Sequence, residues 1–246
     1  MDILGYSLYL GGIFLAAVLG ALPPLLGQWS DRQLHRFVAF GAGTFLGAAF
    51  FHLIPQALDV YPGLLTNFAL LSGFMLMLFV ERVLVSHRQP DGNAAVLHRH
   101  QVMSLSTFIG LSLHSLMTGL ALGAGLSRSG SAPIIFLAIV SHKSVAAFSL
   151  ATVFRLSELS SRRSLVYLAL FAVITPIGAL LSLPLMNVLT DVHLTIPNSL
   201  AAGSFIYVAT MDLLPEAFHD QNRRVRTFIF LSAGILLMLG LGLLGI

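Results

Sequence analysis

The sequence predicts an all-α membrane protein: eight transmembrane helices in a 3+2+3 arrangement, with spans 1–3 and 6–8 as inverted repeats. Three observations predict it. Of 246 residues, 57% are hydrophobic and only 9% charged, with a mean hydropathy of +0.89; a soluble domain keeps about a quarter of its residues charged so that its surface stays wet. Stretches of about 20 apolar residues, the length that crosses a bilayer, recur between polar breaks. The segment 42–58 also returns, 160 positions later, at 202–218. This composition excludes a soluble enzyme, a disordered protein and a coiled coil. Period-2 alternation is absent, which excludes a membrane barrel.

The spans run roughly over 4–27, 37–58, 60–81, 102–126, 131–154, 164–189, 195–218 and 227–246, one transmembrane domain over 1–246. The first begins without a basic region and reads as a retained helix rather than a cleaved leader; Pro23 and Pro24 break its far end. Between spans 3 and 4, the loop 82–101 holds His87, His98 and His100. The His-x-His spacing there suits transient metal capture, and equally a plain solvated loop. Pro176 and Pro184 interrupt span 6, a kink beside a cavity.

The basic residues set the orientation. Arg32, Arg36, Arg82, Arg88, Arg99, Arg155, Arg162, Arg163, Arg223, Arg224 and Arg226 follow odd-numbered spans, and only Arg128 lies in an opposite loop. By the positive-inside rule both termini face away from the cytosol, in a plasma or bacterial inner membrane. The pI near 9.7 therefore reflects topology and does not point to nucleic acid. With no cysteine, disulfides and thiolate metal sites are excluded, leaving imidazole, carboxylate and neutral oxygen as ligands.

The repeat aligns Gly43 with Gly203, Phe45 with Phe205, Leu53 with Leu213, Pro55 with Pro215 and Ala57 with Ala217; His52 falls opposite Asp212 and Gln56 opposite Glu216. Spans 2 and 7 run in opposite directions, so the repeats are inverted, the construction of many secondary transporters with a midplane site. Spans 4 and 5 correspond at an offset of 28, which pairs His114 with His142. At about 1.5 Å per residue both lie near mid-membrane.

Ionisable side chains within a span cost about 2.5–3.5 kcal/mol on insertion scales and mark a cavity or a partner. His114 and His142 read as a metal site, since neutral imidazole ligates zinc, copper, iron and nickel, or as a hydrogen-bonded pair linking two helices. Ser115 and Thr118 add hydroxyls within a turn. Lys143 either repels a second divalent ion at this spot or pairs with Asp212. His52, Gln56 and Asp59 on one side, and Asp212, Glu216, His219 and Asp220 on the other, form a path with a mouth at each face; Asp59, His219 and Asp220 read also as simple solvated groups.

Together FHLIPQAL in span 2, HSLMTGLALG in span 4, HKSVAAFSL in span 5, TPIGALL in span 6 and GSFIYVATMDLLPEAF in span 7 resemble the ZIP (Zrt/Irt-like) family of divalent metal transporters over nearly the whole chain. The His-Ser and His-Lys pairs are similar to the subfamily of plasma-membrane zinc importers of animals and fungi. The resemblance implies a transport site on spans 4 and 5 at His114, Ser115, Thr118, His142 and Lys143; Asp212 is a further candidate metal ligand from its own position within span 7. It also implies an elevator-like motion of spans 1, 4, 5 and 6 against 2, 3, 7 and 8; Lys143, His52, Gln56, Glu216, Thr175 and Pro176 read as pathway or gating residues. Thr118, Ala146, Thr175 and Gln56 stand where the family usually or often has carboxylates. The core site is thus two imidazoles plus hydroxyls, which favours zinc or softer ions over hard divalent ions.

The function expected is import of a divalent metal ion, zinc foremost, by alternating access through one midplane site. The metal is cargo and no cofactor is called for. Partners are that ion and the lipid bilayer, with no nucleic acid; a homodimer is compatible with the pattern. Two alternatives stay open: a transport-silent metal sensor or scaffold, and an intramembrane zinc hydrolase.

Overall fold

The protein is described by a computed structural model over residues 3–85, 93–126, 132–185, 191–219 and 224–244. His87, Arg88, Arg128, Asp220 and Arg223, read above as loop residues, lie outside them. The described residues form eight helical rods and no strand: α1 (Ile3–Leu26), α2 (Asp31–Ala48, a π-turn at Ala49–Leu53, then Ile54–Val60), α3 (Leu64–Phe79, ending in a π-turn at Val80–Val85), α4 (Asn93–Leu126), α5 (Ala132–Leu156), α6 (Ser161–Leu185), α7 (Asp191–Tyr207, a π-turn at Val208–Leu213, then Leu214–Ala217) and α8 (Arg224–Leu243).

Among the described residues, six of these rods are long and apolar enough to cross a membrane: α1, α2, α3, α4, α6 and α8. The other two, α5 and α7, carry His142, Lys143 and Arg155, and Asp212 and Glu216. They are also strongly enclosed by protein, with Ala146, Ala147 and Leu150 of α5 and Ala202, Phe205, Tyr207 and Val208 of α7 buried in the main core. A helix shielded by its neighbours does not need to be apolar all round. A second difference concerns the loop read over 82–101. The helix α4 begins at Asn93, so His98 and His100 lie on its first turns, where good helix formers such as Ala94, Ala95 and Leu97 extend it beyond the apolar span.

The repeat is visible in the packing. The α2–α8 crossing sets Gly43 against the Leu231 carbonyl and Gly234 against that of Phe40; α3–α7 sets Gly203 against the Leu70 carbonyl and Gly73 against that of Leu200. A Cβ at any of the four would run into main chain, so small residues let the backbones meet where lipid offers no hydrophobic drive. The aligned glycines 43 and 203 thus make equivalent crossings. Likewise α1 packs on α5 and α4 on α6, and the aligned Phe45 and Phe205 rings stack 5.1 Å apart.

Each repeat also carries its π-turn in the same place, one ending at Leu53 before Pro55, the other at Leu213 before Pro215. A proline supplies no N–H and its ring crowds the carbonyl four residues back. Widening the turn relieves that crowding, and it sets His52 and Asp212 within the two widened turns.

Candidate functional site

His114 on α4 and His142 on α5 bring their rings to 5.6 Å centre to centre. His114 is buried and packs on Phe205, 4.7 Å away. The Thr118 hydroxyl donates to the His114 carbonyl at 2.9 Å, one turn back on the same helix. Its oxygen therefore accepts from His114 Nε2–H at 3.2 Å. That arrangement leaves His114 Nδ1 as the lone-pair nitrogen, buried and with no hydrogen-bond partner among the described residues. Thr118 thus fixes the tautomer and orientation of the His114 ring, as a hydrogen bond to the second nitrogen does for an imidazole.

The two histidines line a cavity of about 490 Å³ together with Thr118, His52, Gln56, Asp59 and Asn198. The lining comes from α2, α7 and α8 on one side and α4 and α5 on the other. Of its ionisable groups three are imidazoles and one, Asp59, is a carboxylate near the end of α2. The sequence reading had singled out His114, His142, Thr118, His52 and Gln56, and the structure brings them together. Asn198, Thr44 and Phe205 were missed; the repeat alignment of Phe45 with Phe205 was the one signal pointing there.

Ser115, Lys143 and Thr175 form a separate arrangement. The Lys143 ammonium is buried and donates to Ser115 Oγ at 2.9 Å, Thr175 Oγ1 at 2.9 Å and the Phe171 carbonyl at 3.0 Å. It also lies 3.6 Å from the centre of the Phe171 ring, a cation–π contact. Three donors meet three acceptors, which is how a cation is kept so deep. The pairing of Lys143 with Asp212 considered above does not form: Lys143 points between α4 and α6. The Ser115 hydroxyl faces the ammonium and does not line the cavity. Pro176 follows Thr175 within α6.

Asp212 does not line the cavity either. It is buried, accepts from Ser106 Oγ of α4 at 2.5 Å and lies beside Glu81 of the α3 π-turn. Glu216 stands one turn further on. It accepts from Arg99, and its Oε1 lies 3.0 Å from His35 Nε2 and 3.1 Å from His100 Nε2. Neither Ser106 nor His35 was legible as a partner, since each is brought in from another helix.

Comparison with known proteins adds an independent line. The profile of the family described as "ZIP Zinc transporter" matches residues 5–90 and 85–242. The chain is 25% identical over 290 residues to "Zinc transporter ZIP1" of Takifugu rubripes, covering 96% of each. It is 34% identical over 158 residues to "Zinc transporter ZIP9" of Micropogonias undulatus, covering 60% of this chain and 50% of the relative, and 25% identical over 277 residues to "Zinc transporter 3" of Arabidopsis thaliana, covering 95% of this chain and 81% of the relative.

Proposed function

From the premise that the chain belongs to the ZIP zinc transporter family, we propose that it carries a divalent cation, zinc foremost, toward the cytosol by alternating access through one midplane site. The observation that carries this reading is the meeting of His114 and His142 in a cavity that continues past His52 and Gln56 to Asp59. Two imidazoles on one tetrahedral zinc, with bonds of about 2.0–2.1 Å, stand roughly 5 Å apart centre to centre; the observed 5.6 Å needs only a small approach. The donors are neutral nitrogen and oxygen, which suits zinc or a softer ion. Ligation that is sparse in charge also lets the ion leave, as transport requires.

Lys143 supports a single ion. Its Nζ ties Ser115 of α4 and Thr175 of α6 to α5, so the hydroxyl oxygens that a second ion would need there are already engaged. The same clamp supports α1, α4, α5 and α6 moving as one unit against α2, α3, α7 and α8, since the cavity lies between those two sets. The end bearing Arg99 and Arg155 is assigned to the cytosol by the arginine distribution. The metal in this reading is cargo. A hydrolase would need at least three ligands converging on one open position with a general base, and Asp212 stands outside the cavity.

The test is uptake of radiolabelled zinc into proteoliposomes holding the full chain. Uptake should fall to the protein-free background in the His114→Ala, His142→Ala double variant. Undiminished uptake would place the site elsewhere, and zinc binding without any flux would identify a transport-silent relative.

A further inference from the structure

Topology asks only that the arginines stand on one side of the membrane; it does not ask them to face one another. On α2 and α8 three of them do. Gly43 of α2 meets the Leu231 carbonyl of α8, and Gly234 of α8 meets that of Phe40. Gly47, further along α2, meets Met238, further along α8, so the two helices run parallel. Arg36 lies seven residues before Gly43, and Arg224 seven before Leu231. Seven residues are about two turns and about 10.5 Å of rise. Both arginines therefore fall on the facing stripes of the two helices, at one level beyond the crossing. Arg32, about three turns before Gly43, continues the α2 stripe. Thr227, the next residue of the α8 stripe, is buried, so the crevice closes just above the arginines.

No acid answers this charge. Among the described residues, none of Arg32, Arg36, Arg224 and Arg226 makes an ion pair. Asp31, next to Arg32 in sequence, is exposed and paired with none of them, and Glu216 is already held by Arg99. Arg32 and Arg224 are exposed and Arg36 is half-buried, so an anion can reach all three. On the outward side of α8, Val225, Phe228 and Ile229 are exposed, an apolar strip directly beside the basic cluster. Trp29, the chain's one tryptophan, stands just before α2, and tryptophan settles at headgroup level. The guanidinium groups thus lie at the depth of lipid phosphates, and the apolar strip leads from there into the hydrocarbon.

We propose that Arg32, Arg36 and Arg224 form a docking site for the phosphate of an anionic phospholipid in the leaflet at that end of the bundle, with an acyl chain along Val225, Phe228 and Ile229. The residue type fits the ligand. Lys143 is the chain's one lysine, and the other twelve of its thirteen basic residues are arginine, whose planar fork matches phosphate oxygens two at a time. A soluble phosphate would use the guanidinium groups alone; a lipid uses the apolar strip as well. A bound phosphate relieves the repulsion between Arg36 and Arg224 and braces α2 against α8. The site requires only the packing of those two helices and does not depend on transport.

In the test, the full chain in detergent is offered equal amounts of phosphatidylglycerol and phosphatidylcholine with the same acyl chains. Retained lipid is read by native mass spectrometry, and phosphatidylglycerol should be kept in at least tenfold preference. Each basic group near a membrane surface is worth about fivefold in anionic-lipid binding. Arg224→Gln should therefore cut retention about fivefold, and Arg36→Gln with Arg224→Gln more than tenfold. Arg162→Gln with Arg163→Gln removes the same charge from exposed positions on α6 and should change retention less than twofold. Arg224 is exposed, so its single variant decides the matter even where the pair does not fold; unchanged retention there would overturn the proposal. Equal losses in the α6 pair would reduce the effect to diffuse surface charge and overturn it too. So would the absence of any preference for the anionic lipid, or its displacement by excess inorganic phosphate, which would assign the arginines to a soluble anion.

Discussion

The π-turn at Ala49–Leu53 in α2 and the π-turn at Val208–Leu213 in α7 are one construction used twice, and their surroundings differ. His52 in the first lines the cavity, with Gln56 and Asp59 beyond it. Asp212 in the second is buried, bonded to Ser106 and set beside Glu81, with no part in the cavity lining. Gln56 and Glu216, also aligned by the repeat, differ in the same way: one faces the cavity and the other is engaged by Arg99 and ringed by histidines. A scaffold that is symmetric while access is one-sided is what a single state of an alternating-access protein would look like. Under the alternating access proposed above, His52 stands on the accessible side, lining the cavity, and Asp212 on the side that is shut off.

If the scaffold is symmetric, equivalent crossings should respond equally. Gly43→Leu and Gly203→Leu should each destabilise the folded protein by more than about 3 kcal/mol, since the new side chain meets backbone rather than a movable side chain. The measurement is thermal unfolding in detergent, and a large loss at one glycine with none at the other would break the symmetry. Ser106→Ala acts on the difference instead. It removes the donor to buried Asp212 and should cost about 1–3 kcal/mol, read in the same unfolding assay, while leaving the α2 turn untouched. Thr175→Ala is the smallest of the three. It takes one of three acceptors from Lys143 and should cost about 1 kcal/mol, without altering the chemical accessibility of either turn.

Much of this frame could be read in the chain. The repeated Leu-x-Pro marked both turns because proline's missing N–H acts locally, wherever the helix is packed. His114 and His142 were legible as partners because equal depth on consecutive antiparallel helices leaves few alternatives. The partners of Lys143 were not: which neighbour supplies an acceptor depends on how α4, α5 and α6 rotate about their axes, and no spacing encodes that. His35, His100 and Glu216 come from three helices separated by 65 and 116 positions in sequence, so their meeting is a product of tertiary packing alone. The start of α4 was placed late because hydropathy marks where a helix enters lipid, not where it begins.

The chain has no cysteine, so a single introduced thiol reports its own surroundings. With His52→Cys and Asp212→Cys made separately and reconstituted in lipid, a charged, membrane-impermeant maleimide is applied to each face. The account predicts that Cys at 52 reacts readily from the face nearer Asp59 and that Cys at 212 reacts at least tenfold more slowly from either face. Equal labelling of the two positions, or faster labelling at 212, would contradict it.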